Sequence, residues 1–83
     1  MSETYQLYKY DSCPFCRRVM GFLQGTNIPV TLRDIHREPG AMQELMRGGG
    51  RTMVPCLRID RTTGTEWMYE SLDIIAYLKA AHA

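Results

Sequence analysis

The feature that most constrains this chain is a junction. The apolar run Tyr5–Tyr10 ends at Asp11-Ser12 and leads at once into Cys13-Pro14-Phe15-Cys16, from which a helical pattern continues to Gln24. Residues 4–10 read as a Tyr-rich strand, apolar enough to be a central one. Phe15, Val19, Phe22 and Leu23 then recur at i, i+4, i+7 and i+8, an apolar stripe that faces a core. Cys16, Met20 and Leu23 share an adjoining face, so Cys16 should be more buried than Cys13. Pro14 suits a first helical turn, where its missing N–H costs nothing, and Gly25-Thr26-Asn27 stops the helix. A second strand follows at Val30–Ile35, with Val30 and Leu32 on one face and Thr31 and Arg33 on the other. Strand, helix and strand in this order demand parallel pairing with a right-handed crossover.

The second half reads differently. Glu38-Pro39 starts a helix whose buried side is Met42, Leu45 and Met46, and Gly48-Gly49-Gly50 ends it. Leu57–Asp60 alternates as a third strand, Arg61–Thr65 with its Gly64 forms a hairpin turn, and Glu66–Tyr69 returns antiparallel. Ser71 caps a last helix, with Asp73 in its favourable first turn and Leu72, Ile75 and Leu78 as its apolar contacts. The order βαβαββα predicts an α/β fold: a four-stranded mixed sheet flanked by three helices. The strand entering Cys13 is central in that arrangement. Both thiols then lie at the carboxyl edge of the sheet, where open α/β sheets bind ligands.

With 83 residues, the chain is expected to form a single domain over 1–83. A net charge of +1 gives no electrostatic footprint for nucleic acid. No apolar run approaches the ~20 residues of a membrane span. The start Met1-Ser2-Glu3-Thr4 is polar and lacks the pattern of a signal peptide. A cytoplasmic monomer is the expectation, with no nucleic-acid or membrane partner. Three Cys residues make a poor disulfide framework. In a reducing compartment a Cys-x-x-Cys disulfide is transient and catalytic.

Two thiols one helical turn apart at a strand-to-helix junction suit thiol–disulfide exchange. The orphan N–H groups of a helix terminus stabilise a thiolate, and a Cys there can drop from about 8.5 to roughly 3.5–7.5. Half a zinc site or two buried Cys would use the same spacing. A zinc site from Cys13, Cys16 and Cys56 with His36 or His82 matches no common module, and no metal is expected. Pro55, just before the strand Leu57–Asp60, stands where a proline is tolerated. A cis Val54–Pro55 bond would leave the Val54 N–H and C=O free to pair with an extended, peptide-like ligand; an ordinary trans proline at a strand start is the alternative. At Glu70-Ser71 a helix end and a hydroxyl suit a ligand carboxylate, and Glu70 suits an ammonium. A plain Ser cap with acidic neighbours reads the same way. His36 and His82 look like surface residues; Trp67, Tyr69 and the six Met look like core or sheet-face residues.

Taken together, Cys13-Pro14-Phe15-Cys16, the Val54-Pro55 pair and Glu70-Ser71 resemble a dithiol glutaredoxin over residues 4–80. The resemblance implies a thioredoxin-like fold with a glutathione site. Cys13 would be the nucleophile and Cys16 the resolving thiol. Val54 would hydrogen-bond the cysteinyl backbone of glutathione with Pro55 cis, Glu70 and Ser71 would hold its γ-glutamyl end, and Phe15 would flank it. The Glu-Ser pair is more similar to that of glutathione transferase N-terminal domains; glutaredoxins more often carry Gly-Gly-x-Asp-Asp-type residues there. Phe15 stands where the family usually has Tyr. Asp11 stands where many members have Lys; an acid there, if charged and near, would disfavour a Cys13 thiolate, and Arg17 and Arg18 would offset it. The glycyl carboxylate needs a cation. Arg51 is preferred over Arg37 and Arg47, because a flexible Gly48–Gly50 loop sets it beside the Val54-Pro55 edge. Cys56 is a third redox thiol, a site of glutathionylation or a small buried hydrophobe, and the last leads.

The implied function is a glutathione-dependent thiol–disulfide oxidoreductase, with glutathione as co-substrate and disulfide-containing or glutathionylated proteins as partners. A glutathione transferase N-terminal domain ranks second, since such proteins carry an all-helical second domain and this chain ends at Ala83. An iron–sulfur carrier, with Cys13 and external glutathione as ligands on a dimer, is disfavoured in this family by a Pro after the nucleophile.

Overall fold

Alternation along the first strand sorts the chain into layers. In a computed structural model, which describes residues 3–82, β1 (Thr4–Lys9) turns Tyr5 and Leu7 to one face of the sheet and Tyr8 to the other. Met1 and Ser2 of the polar start, and Ala83, lie outside the described residues. After β1 come α1 (Pro14–Gln24), β2 (Val30–Asp34), α2 (Ala41–Gly49), β3 (Cys56–Arg61), β4 (Gly64–Tyr69) and α3 (Ser71–Ala81). The sheet order is β2-β1-β3-β4. β1 pairs parallel with β2 and antiparallel with β3, and β3 pairs antiparallel with β4. The predicted order βαβαββα and the central place of β1 are both found.

One face packs Tyr5, Leu7, Leu57 and Ile59 against Val19 of α1 and Ile74 and Leu78 of α3. The other packs Tyr8 and Cys56 against Ile35 and against Ala41 and Leu45 of α2. Each fully buried Leu, Ile or Val contributes about 1.5–3 kcal/mol, so the two layers hold β1 and β3 firmly beneath the loops at their ends. No helix among the described residues is long and apolar enough to cross a membrane.

Several boundaries and faces differ from expectation. The helix expected from Glu38-Pro39 begins at Ala41, because Gly40 at φ 87° is outside helical geometry. Its buried side is Ala41 and Leu45, while Met42 and Met46 are exposed. Small residues decide this: a Cβ on Gly48 would stand 2.0 Å from the Trp67 ring, and one on Gly49 2.0 Å from the Tyr69 hydroxyl. These glycines form the last turn of α2 against β4, and only Gly50, at φ 86°, ends it. They are therefore not the flexible loop expected. The hairpin is tighter than expected, with Arg61 paired to Gly64 across Thr62-Thr63. α3 buries Ser71, Ile74 and Leu78, leaving Leu72 exposed and Ile75 only partly covered. Met53 is exposed too, and so is Leu32 on the edge strand β2.

Candidate functional site

Cys13 occupies the N-cap of α1, with extended backbone (φ −79°, ψ 117°) and Pro14 at the first helical position. Its Sγ accepts a hydrogen bond from the Cys16 amide at 3.1 Å, satisfying one of the orphan donors of the helix start. That bond draws the sulfur in over the helix end. Cys13 is consequently only 3% exposed, against the exposed position expected for a nucleophile. Cys16 is fully buried beneath it. Burial, and then the contact with the Cys13 sulfur, push the Cys16 thiol up to about 12. Cys56 is also fully buried, and its burial pushes that thiol up to about 12. It pairs with Tyr8 and Tyr69 in the middle of the sheet, as a small hydrophobe would.

Beside α1 lies a cleft of about 370 Å³. Phe15 and Arg18 of α1 form one wall, Met53, Val54 and Pro55 the base, and Tyr69 to Asp73 the other wall. The cleft thus brings together Phe15, Val54, Pro55, Glu70 and Ser71, while Cys13, Cys16 and Arg51 are not among its lining. The Val54–Pro55 peptide bond is cis. The cap of α3 is Glu70 rather than Ser71, and its side chain makes no capping bond. Ser71 is the first helical residue and is buried. Glu70 sits at φ 76°, the one positive-φ residue other than glycine among the described residues. Such a conformation costs about 1–3 kcal/mol and persists where the surroundings over-determine it, commonly at ligand sites.

Arg51 is engaged elsewhere. Its guanidinium lies 4.3 Å from the centre of the Tyr69 ring, and its carbonyl accepts the Tyr69 hydroxyl at 2.9 Å. Its wall of the cleft is supplied by Tyr69 instead. The acid at Asp11 is compensated locally. Its carboxylate lies 2.7 Å from the Lys9 ammonium and 3.3 Å from the Arg37 guanidinium, and the Lys9 hydrogen bond holds the carboxyl below the usual range. Arg37 is thereby occupied, and Arg17 donates to the Asp11 carbonyl at 3.1 Å. His36 is stacked on Tyr10. Among the described residues no group of three or more His, Cys, Asp or Glu side chains could hold a metal ion, so the zinc reading has no donor set. Arg18, Tyr69 and Asp73 join the cleft without having been picked from the sequence as ligand-facing. For Arg18 the signal was its i+3 spacing from Phe15.

A central β1, the crossover to β2 and the β3-β4 hairpin define a thioredoxin-like fold. A mutant of the thioredoxin-like protein BC3987 shares it, with 20% identity and a TM-score of 0.71 over 90% of this chain and 99% of that one. The family model for the glutathione S-transferase N-terminal domain matches residues 7–83, and the chain belongs to that family. No curated protein matches. The trimeric glutathione transferase TDR1 of Leishmania is 25% identical, with a TM-score of 0.76 over 96% of this chain. The maleylacetoacetate isomerase of Anaeromyxobacter dehalogenans 2CP-1 is 22% identical, with a TM-score of 0.72 over 98% of this chain. The chain spans only 18% of the transferase and 37% of the isomerase. That isomerase has also been solved with GSH bound in its active site. From the sequence this family ranked second to glutaredoxin, and the Glu70-Ser71 pair was the feature that pointed to it.

Proposed function

We propose that the chain binds glutathione in the Phe15–Glu70 cleft and exchanges it with disulfides through Cys13. The observation that carries this reading is the Cys13 sulfur at the N-cap of α1, 3.1 Å from the Cys16 amide. A preorganised N–H and a helix N-terminus stabilise negative charge on sulfur, both when it attacks and when it leaves. Val54, beside Pro55, holds the cysteinyl backbone. Glu70 takes the γ-glutamyl ammonium, and the first turn of α3 with Ser71 takes the adjoining carboxylate. Membership of the glutathione S-transferase N-terminal family supports the choice of ligand.

The Cys13 thiolate attacks the glutathione sulfur of a protein–glutathione mixed disulfide; the S–S bond breaks and the protein leaves as thiolate. A glutathione thiolate then attacks the Cys13–glutathione disulfide, giving oxidised glutathione and regenerating Cys13. A protein disulfide would instead be reduced by both thiols, leaving a Cys13–Cys16 bond. Burial pushes the Cys16 thiol up to about 12, so it is protonated at neutral pH and is the slower attacker. The glutathione route is therefore the main one. The test is turnover of a glutathionylated peptide by the reduced protein with glutathione, followed as oxidised glutathione formed; no turnover above the uncatalysed rate refutes it. The family match favours a second reading, conjugation of glutathione to an electrophile. Conjugation of an activated aryl halide without thiol exchange would put that reading first.

A further inference from the structure

The segment Arg51–Pro55 joins α2 to β3 and presents Val54 and Pro55 as the base of the cleft. Arg51, Thr52 and Met53 are exposed, so packing does little to hold them. Among the described residues the segment makes one hydrogen bond: the Arg51 carbonyl accepts the Tyr69 hydroxyl at 2.9 Å. The other end of that bond is well anchored. Tyr69 closes β4, where it pairs with Cys56 in the middle of the sheet, and Glu70 of the far cleft wall follows it. Its hydroxyl lies in a notch at the end of α2. A Cβ on Gly49 would collide with that oxygen, while the nearest ring carbon is 3.0 Å away. A residue with no side chain is what leaves the phenol room to reach Arg51.

We propose that Tyr69 is a positioning residue: its hydroxyl, admitted by Gly49, pins the Arg51–Pro55 loop so that the Val54 main chain is in place before the ligand arrives. This role rests on the glutathione reading and deepens it. A loop ordered in advance spares the ligand the entropy of ordering it, so the pin acts on affinity. The bond uses the hydroxyl of Tyr69 and the main chain of Arg51. The Arg51 guanidinium, 4.3 Å from the centre of the Tyr69 ring, closes over the same junction and needs only the ring. Gly49 is not among the lining of the cleft, so its part is played at a distance, through Tyr69.

The test titrates S-methylglutathione, which cannot exchange disulfides, into the native chain and three variants, and follows backbone amide order parameters by NMR relaxation in each. Tyr69→Phe keeps the ring that Arg51 packs on and removes only the hydroxyl. It should bind about three- to tenfold more weakly, the scale of one neutral hydrogen bond. Order parameters should fall at Arg51–Val54 and stay as they are in β1 and β3. Gly49→Ala should do the same by displacing the hydroxyl. In the double variant Gly49→Ala/Tyr69→Phe the displaced atom is already gone. It should therefore bind like Tyr69→Phe alone, without multiplying the two losses. A Tyr69→Phe variant that binds as the native chain does, or binds more weakly with the loop still as ordered, shows that the hydroxyl does not position the loop, while glutathione binding stands. A Gly49→Ala variant that binds as the native chain does, or losses that multiply in the double variant, overturn the part given to Gly49. If the native chain binds no S-methylglutathione, the glutathione reading falls and the positioning role falls with it.

Discussion

The Cys16 amide donates to the Cys13 sulfur across 3.1 Å, so the two free thiols of the motif are joined through one turn of helix backbone. The bond uses the main chain of Cys16, not its side chain. Any residue but proline at position 16 preserves it, and a serine hydroxyl at position 13 would accept it too, but only the sulfur at 13 can act as the nucleophile. Cys13→Ser should therefore lower glutathione-dependent thiol transfer by on the order of a thousandfold or more, the scale of losing a nucleophile. Cys16→Ser should keep most of the rate on glutathionylated substrates and lose reduction of protein disulfides. Steady-state rates on the two substrate types distinguish the roles; equal loss in both variants contradicts them.

The layers were legible because β1 alternates, Tyr5 and Leu7 against Tyr8, and because a strand that leads into a helix leaves few topologies open. The face of α2 was not. Its buried positions are Ala41 and Leu45, and the face at i, i+4, i+7 and i+8 continues with Gly48 and Gly49, whose Cα atoms lie close against the aromatic rings without being buried. A hydrophobic pattern weights Met over Gly, whereas a close helix–sheet contact favours the residue with no side chain. In α3, Ser71 takes an inward place that the apolar pattern gave to Leu72. Around the cleft, Phe15, Val54, Pro55, Glu70 and Ser71 come together. Arg51 does not, because its aromatic partner lies on β4, and cross-element packing of that kind has no local signature. The burial of Cys13 likewise comes from a side chain folding back onto its own helix, which spacing does not reveal.

Glu70 holds φ at 76°, where glycine is at ease and glutamate is not. Glu70→Gly should release about 1–3 kcal/mol of local strain, offset by about 0.5–1 kcal/mol of extra backbone entropy lost on folding. A net gain of about 1 kcal/mol would raise the melting temperature by roughly 4–8 °C in a domain of this size. The same variant should weaken glutathione binding, since the carboxylate is gone. Glu70→Gln should bind weakly too, without the thermal gain. Calorimetric melting and ligand titration separate the two effects; a Glu70→Gly variant that melts below the native chain would show that the backbone there is not strained.

Two glycines give opposite expectations for one added methyl group. In Gly48→Ala the new Cβ would stand 2.0 Å from the Trp67 ring, so α2 must lift from β4 or the indole must move. Overpacking of this kind costs about 1–3 kcal/mol. Gly21 is an exposed position within α1, and a Cβ there meets nothing within 4 Å. Gly21→Ala should stabilise by up to about 1 kcal/mol through helix propensity. Urea unfolding of the two variants measures both shifts, and a stabilised Gly48→Ala would mean that α2 does not rest on Trp67.

The buried thiols set an alkaline limit. Cys56 ordinarily ionises near 9.0, and burial raises it to about 12 in the folded chain. A raised folded value means that the fold favours the protonated thiol. Its contribution to stability is then full below about 9 and is lost as the pH rises toward 12. Cys16 behaves in the same way. Tyr8 and Tyr69, also raised chiefly by burial, add to the loss in the tyrosine range. Unfolding free energy should therefore fall steeply between pH 9 and 12. Cys56→Ala isolates one thiol from that sum. It should be less stable than the native chain at pH 7, because a buried side chain is cut back, yet lose less with each step of pH above 9. Denaturant titrations across this range, under reducing conditions, give the two slopes; parallel slopes would mean that Cys56 ionises as readily in the folded sheet as in the unfolded chain.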